Sequence, residues 1–283
     1  MNQPVVEFLK DTNQVFTWTV PEGVYKMRAE AIAAGANGNA GSNNATSKGG
    51  SGGAYAFTEL DVTPGQQIEY FVGAPTPFAA PRSVTYLGST SILAVESGIN
   101  INSTAINEGG AVLAGFGGFP GGRATAGRRG GGGAAGPYGI GGQAGNSGGG
   151  GANGGGSSTN LTGGTNRLGY GGGAGAIDSV SPAGSGLDGG GGGGGIGSNQ
   201  LYMIGGHGSQ DTIWASTITG EPAGPGGAGG ASSGSGSGGN AGGYGGGGGG
   251  GRSAATGRYQ GTQGIIVLSY MIEPNGLLFS YWL

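Results

Sequence analysis

Two patterns of apolar and polar positions run along this chain, and they call for different kinds of structure. In the first third, apolar and polar side chains alternate with the period of two that turns one face of a strand towards a core. Phe16, Trp18 and Val20 alternate with Thr17 and Thr19; Tyr25, Met27, Ala29 and Ala31 alternate with Lys26, Arg28 and Glu30. Pro21-Glu22-Gly23 between them is a turn sequence. After a glycine- and asparagine-rich excursion at 35–53, Tyr55, Phe57 and Glu59 predict a third strand. Asp61-Val62-Thr63-Pro64-Gly65 then turns the chain towards Ile68, Tyr70 and Val72. Residues 84–87 and 91–95, joined around Gly88-Ser89, predict a hairpin. Far downstream, 264–270 (GIIVLSY) reads as one more strand. These elements predict an all-β fold, an antiparallel β-sandwich with a modest aromatic core. The distance to the last strand predicts a long insertion, closed by a strand that returns to the sandwich.

Between 115 and 257 the period changes from two to three. Every third residue from Gly127 is glycine through Gly130, Gly133, Gly136, Gly139, Gly142, Gly145, Gly148, Gly151 and Gly154. A second register runs through Gly236, Gly239, Gly242, Gly245, Gly248 and Gly251. Three residues per turn is the repeat of an extended left-handed helix that makes no internal hydrogen bonds. Buried, such a helix has to pair its N–H and C=O groups with neighbours, and glycine at every third position lets a neighbour come close. Prolines are too few for collagen, and the period argues against a disordered glycine-rich linker. At about 3.1 Å per residue the run 130–154 would reach about 75 Å. A compact chain of this length has a radius of gyration of about 19 Å. The run is therefore expected to fold back, with Pro137-Tyr138, Asn146-Ser147 and Asn153 as turn points, into a large inserted raft of packed polyglycine II helices. The expected organisation is N-terminal β-sandwich strands over 1–110, the raft with its loops over 111–260, and a closing strand with an apolar tail over 261–283.

Composition narrows the chemistry. Charged residues make up 9% of the chain and the net charge is −3, which gives no drive towards nucleic acid or an anionic membrane. No apolar run approaches the length of a membrane span. The opening MNQPVVEFLK lacks the pattern of a signal peptide. An extracellular role would then follow assembly inside a cell and release, as for part of a virion. Cysteine is absent and His207 is the single histidine, so nucleophilic triads and zinc sites are nearly impossible to assemble. Asp178, Asp188, Asp211 and Glu221 are scattered, with no spacing that suggests an acid–base pair. Residues 184–189 satisfy G-x-G-x-x-G without a preceding strand, no lysine follows a glycine, and Arg123, Arg128 and Arg129 are more simply read as capping the raft or meeting solvent. The expectation is a non-enzymatic protein with no cofactor and no metal.

One interruption stands out, at 198–216 (SNQLYMIGGHGSQDTIWAS), where Tyr202, Met203, His207, Gln210, Asp211 and Trp214 are set among glycines. Loops on a rigid scaffold are where recognition usually sits. Tyr and Trp offer large contact area at low entropic cost, and Asp and Gln suit sugar hydroxyls or polar protein edges. These six are the candidate receptor-binding residues. A second reading stays open, in which Tyr202, Ile204 and Trp214 form a satellite core pinning the raft. Asn160, Leu161, 166–168 and 177–181 are smaller candidates; Tyr138, Tyr170 and Tyr244 read as packing wedges. In the tail, Leu277, Leu278, Phe279, Tyr281 and Trp282 are either a docking surface for a neighbouring subunit or a last strand over the protein's own core.

The order of these elements carries a resemblance. A strand, the turn Pro21-Glu22-Gly23-Val24, a strand, a glycine excursion, a strand, the turn Val62-Thr63-Pro64-Gly65, a strand, a hairpin, a glycine-rich body and the closing strand 265–270 together resemble the glycine-rich domains of bacteriophage tail fibres. The resemblance covers nearly the whole chain. Similar glycine rafts occur in the tip adhesins of T-even-like phage long tail fibres and in the ectodomain of the anaplastic lymphoma kinase receptor family. It implies packed polyglycine helices, host attachment through loops at the raft's end, and a place in the virion, extracellular after release. The implied partners are a host surface glycan or outer-membrane protein and other tail-fibre or tail subunits, with no nucleic acid, no membrane insertion, and self-association into a homo-oligomer left open. The alternative is a purely structural virion protein: a fibre spacer, decoration or assembly component. The closing strand and apolar tail depart from the tip adhesins and leave the position on a fibre open.

Overall fold

The computed structural model describes residues 4–39, 48–101, 106–124, 130–145, 149–152, 154–157, 164, 240–250 and 260–273. Among them the protein is all-β, with no helix. The strands are β1 (Val5–Leu9), β2 (Val15–Thr19), β3 (Lys26–Ile32), β4 (Tyr55–Asp61), β5 (Gln67–Phe71), β6 (Val84–Leu87), β7 (Leu93–Glu96), β8 (Val112–Ala114), β9 (Gly117–Phe119) and β10 (Ile265–Tyr270). They form two five-stranded antiparallel sheets, ordered β1-β10-β3-β4-β9 and β2-β5-β6-β7-β8. Strands β1, β8 and β9 were not legible in the sequence. In β1 every position is half-buried, so no alternation announces it, and β8 and β9 are three residues long in a glycine-rich setting.

The two sheets share one core. Met27, Ala29 and Ala31 of the first sheet meet Trp18, Ile68, Tyr70, Leu87, Leu93 and Val95 of the second. The returning strand β10 lies in the middle of the first sheet, between β1 and β3, with Leu9 opposite Ile266 and Ile265 opposite Ile32. Ile266, Leu268 and Tyr270 point into the shared core. Ile265 and Val267 point the other way, into a second cluster with Ile32, Tyr55, Ala134, Ala135 and Tyr244. Burial on both faces is why the strand reads as an unbroken apolar run. The alternation expected for β3 holds only at its start: Lys26 is exposed, but Glu30 and Ile32, on the same face, are buried, Ile32 in a cluster with Ala134, Ala135 and Tyr244 of the glycine-rich segments.

Those segments run on from one end of the sheets. Ile265, Ile32, Tyr55 and Phe119 form one row across the first sheet, and four strands end there. Beyond the row the chains stay paired in the same register, but they bond at every third residue. Along β3 and β4 the pairing continues as Ala33 N–H to Ala54 O, Ala36 to Ser51 and Asn39 to Lys48. The β10–β3 pairing continues as Gly35 N–H to Thr262 O, and the β4–β9 pairing as Gly52 N–H to Gly122 O.

Within 50–54 the bonding repeats every three residues. Gly50 and Gly53 donate to Gly248 and Gly245, Ser51 and Ala54 donate to Ile99 and Glu96, and Gly52 donates to Gly122. The carbonyls follow the same rule, accepting from Gly132 and Ala135, from Ala36 and Ala33, and from Gly110. All these bonds lie between 2.8 and 3.3 Å. A row of such bonds crosses the network from Gly110 through Gly52, Gly122, Gly133, Gly142 and Gly151 to Gly156. Close approach enforces glycine here: a Cβ on Gly52 would overlap the carbonyl oxygen of Gly133. The run 130–154 folds back at Pro137-Tyr138, where Gly136 and Gly139 exchange both backbone bonds. It reverses again between Ala152 and Gly155, which brings Gly151 against Gly156. The other two expected turn points, Asn146-Ser147 and Asn153, lie outside the described residues.

Candidate functional site

The candidate receptor-binding residues Tyr202, Met203, His207, Gln210, Asp211 and Trp214 lie outside the described residues, as do Asn160, Leu161, 166–168, 177–181 and Tyr170. So do Leu277, Leu278, Phe279, Tyr281 and Trp282 of the tail. What is described is the platform from which the 165–239 stretch departs and to which it returns. Gly164 donates its N–H to Gly149 O, and Ala241 donates to Gln260 O, so both flanks of the stretch are tied into the glycine network. Tyr244, expected as a wedge, is buried in the cluster between the network and the first sheet.

Three polar clusters hold that platform in place. The first lies on the outer face of the first sheet. Glu30, 1% exposed, accepts from the hydroxyl of the fully buried Tyr55, and Arg28 Nε stands 3.5 Å from its other oxygen. The Arg28 guanidinium also lies 4.2 Å over the Phe57 ring. Burial works against the Arg28 charge, but Glu30 and Tyr55 outweigh it and raise its pKa. Burial, then the Glu30 carboxylate, raises the Tyr55 pKa far above its ordinary value.

In the second cluster, Arg82 ties loops together. Its guanidinium donates to Ser97 O, Gly109 O and Glu108 O and stands 3.6 Å from the Glu96 carboxylate. Burial lowers its pKa, against the opposing pull of Glu96 and Glu108. Arg123, read from sequence as capping the raft or meeting solvent, is half-exposed and pairs with Glu108 at 2.6 Å.

The third cluster consists of side chains that satisfy backbone groups. Asn100 donates to Asn37 O, Asn107 donates to Gly49 O and to Asn100 Oδ1, and Ser51 Oγ donates to Glu108 O. Sequence reasoning missed all three clusters. The one available signal was Ile32, apolar on the face otherwise marked by Lys26, Arg28 and Glu30.

Chemically this platform is a scaffold of backbone amides. Among the described residues no group of three His, Cys, Asp or Glu side chains could hold a metal ion. No helix among them is long and apolar enough to cross a membrane. Exposed apolar side chains gather near the β8–β9 turn: Leu113, Phe119 and Phe116, the last 73% exposed. Exposed Ile140 is brought near Phe119 alone, since Gly141 N–H bonds Pro120 O. The fold thus defines an all-β protein of two antiparallel sheets whose strands run on into a glycine network. No family model matches the chain, and no curated protein matches it.

Proposed function

We propose that this is a non-enzymatic bacteriophage tail-fibre or tip protein, in which the glycine segments pack as polyglycine II helices and carry loops that bind a host surface. The observation that carries the reading is the three-residue repeat of hydrogen-bond partners in 50–54. A helix of three residues per turn without internal bonds directs successive amides to different neighbours and returns to each neighbour at the third residue. Such packing leaves little freedom in the backbone, and it anchors both flanks of the 165–239 stretch. A stiff platform lowers the entropic cost of presenting a recognition loop. Tyr202, Met203, His207, Gln210, Asp211 and Trp214 are its contact residues for a surface glycan or outer-membrane protein, and several copies on one virion would add avidity.

Replacing Tyr202 and Trp214 together by Ala should abolish attachment to host cells while the thermal transition stays in place. Undiminished attachment would remove these residues from the site. The competing reading is a structural virion part, and the exposed apolar residues Leu113, Phe116 and Phe119 about the β8–β9 turn favour it, because exposed apolar side chains there suit contact with other subunits. Antibody labelling of the particle by electron microscopy separates the two. Label at the distal end of a fibre supports the adhesin, and label along a shaft or on the capsid supports the structural part.

A further inference from the structure

We infer that the first sheet is the template that sets the register of the glycine segments, and that the network assembles outward from it in a fixed order. This inference is independent of what the protein binds. Three neighbouring pairings of the sheet, β10–β3, β3–β4 and β4–β9, each cross the row Ile265–Ile32–Tyr55–Phe119 without a slip. The first continuing bonds of the outer two pairings, Gly35 to Thr262 and Gly52 to Gly122, each fall three residues beyond that row.

Segments 130–135, 141–144 and 149–152 contain no strand of their own. They attach outward from the arms of the sheet: 130–135 bonds to Gly50, Gly53 and Gly122, 141–144 bonds to Pro120, Arg123 and Gly133, and 149–152 bonds to Gly131 and Gly142. An isolated glycine segment has nothing to fix it: it makes no internal bonds, and its backbone loses more freedom on ordering than any other. Each segment can therefore order only against one already ordered, and the strands are the first ordered surface available. The last strand gates part of this. In the lead into β10, Gln263 O accepts from Gly245 and Thr262 donates its N–H to Gly246 O, so segment 245–250 gains those partners only once β10 has docked between β1 and β3.

The order implies a direction in the response to damage. A Cβ on Gly122 would overlap Gly142 O and stand 2.9 Å from Gly133 N, at the root of the outward row. A Cβ on Gly142 would overlap Gly156 O and stand 2.8 Å from Gly151 O, on the outer side. Native-state amide hydrogen exchange of the full chain, read peptide by peptide, distinguishes the two. Gly122→Ala should speed exchange at least about tenfold throughout 131–135, 141–144 and 149–152 while the ten strands keep their protection; tenfold corresponds to about 1.4 kcal/mol of opening free energy. Gly142→Ala should do so at 141–144 and 149–156 and leave 33–39, 48–54 and 121–124 as they were. Protection retained at 149–152 in Gly122→Ala, or lost at 48–54 in Gly142→Ala, overturns the order. Should Gly122→Ala fail to fold, pulse labelling during refolding of the unaltered chain tests the same order. Sheet amides must become protected before those of 141–152, and the reverse sequence refutes the template. Neither readout depends on host attachment, so a failed binding test leaves this inference untouched.

Discussion

Tyr55→Phe deletes a single oxygen and asks whether the glycine segments seal the outer face of the first sheet. Tyr55 is fully buried and its hydroxyl donates to Glu30, itself 1% exposed. The ring stays, so its apolar burial cancels between the two proteins. What is lost is one hydrogen bond to a charged group, worth about 1.5–3 kcal/mol when the partner is left buried. The void is smaller than a methyl group and adds well under about 1 kcal/mol. Arg28 does not replace the lost donor, because its buried Nε stands 3.5 Å from the other Glu30 oxygen. The expected loss is about 2–3 kcal/mol. Urea denaturation followed by tryptophan fluorescence, to which Trp18 in the shared core contributes, should show it. With a slope of about 3 kcal/mol per molar urea, the midpoint falls by about 0.7–1 M. A loss below about 0.5 kcal/mol is what a solvent-exposed pair would give, and it would mean that water reaches Glu30 and the seal does not exist.

The same substitution has a pH signature of fixed sign. Burial, and then Glu30, hold the Tyr55 pKa above its ordinary value in the folded protein. The unfolded chain therefore gives up this proton first, at about pH 10, while the folded protein keeps it. The contribution of Tyr55 is fully present below about pH 10 and is lost as pH rises beyond it. The stability gap between the parent and Tyr55→Phe must narrow above pH 10. Tyr270 is raised in the same direction, by burial and by its bond to Glu7, and it remains in both proteins. The variant thus keeps some alkaline sensitivity, and a gap that widens with pH contradicts the argument.

Two further substitutions test the frame. Leu268→Ala, fully buried in the middle strand β10, should cost about 2–5 kcal/mol, against less than about 0.5 kcal/mol for Ile272→Ala just beyond the strand; equal midpoints in urea would refute the central placement of β10. Arg82→Lys keeps the charge but replaces a fork that reaches Ser97 O, Gly109 O and Glu108 O with a single ammonium. It should cost about 1–3 kcal/mol in thermal denaturation, and an unchanged transition would show that the fork does not clamp these loops.

Strands with a solvated face were legible from their alternation, Phe16 and Trp18 in β2 and Ile68 and Tyr70 in β5, and the hairpin of β6 and β7 from its turn at Gly88-Ser89. The return of residues 265–270 to the body was legible too, since a run such as IIVL has to be buried on both sides. Its place between β1 and β3 was not, because alternation reveals which face of a strand is buried and nothing about which strands it joins. Glu30 misled for a related reason. A charged residue on the polar side of an alternating strand implies solvent, whereas Glu30 meets the Tyr55 hydroxyl and the Arg28 guanidinium. The fold-back at Pro137-Tyr138 followed from length and turn chemistry. The participation of 33–39 and 48–54 in the network did not, because these arms are short, carry Ala, Asn and Ser between their glycines, and show no long run of period three.

Why the change of period falls on a single row follows from geometry. A strand rises about 3.3 Å per residue, and the helix proposed for the glycine segments rises about 3.1 Å. If one arm of a pair switched and its partner did not, the two would slip by about 0.2 Å per residue, or about 1.4 Å over an arm as long as 33–39. Across a perpendicular bond of 2.9 Å that slip tilts the bond by about 26° and stretches it to about 3.2 Å, the long and weak end of the hydrogen-bonding range. Switching both arms at the same level removes the mismatch, and the sequence arranges it. Ile32, Tyr55 and Ile265 are the last large side chains before Ala33-Ala34-Gly35, Gly52-Gly53-Ala54 and Gly264, and Phe119 is followed within two residues by Gly121-Gly122. The Ala and Gly neighbours are small enough for chains to crowd on every side, whereas the large residues before them fill the two cores. The boundary is therefore a coordinated change in side-chain size at one level of four chains. It lets a two-sheet body and a threefold glycine network share one unbroken set of hydrogen bonds.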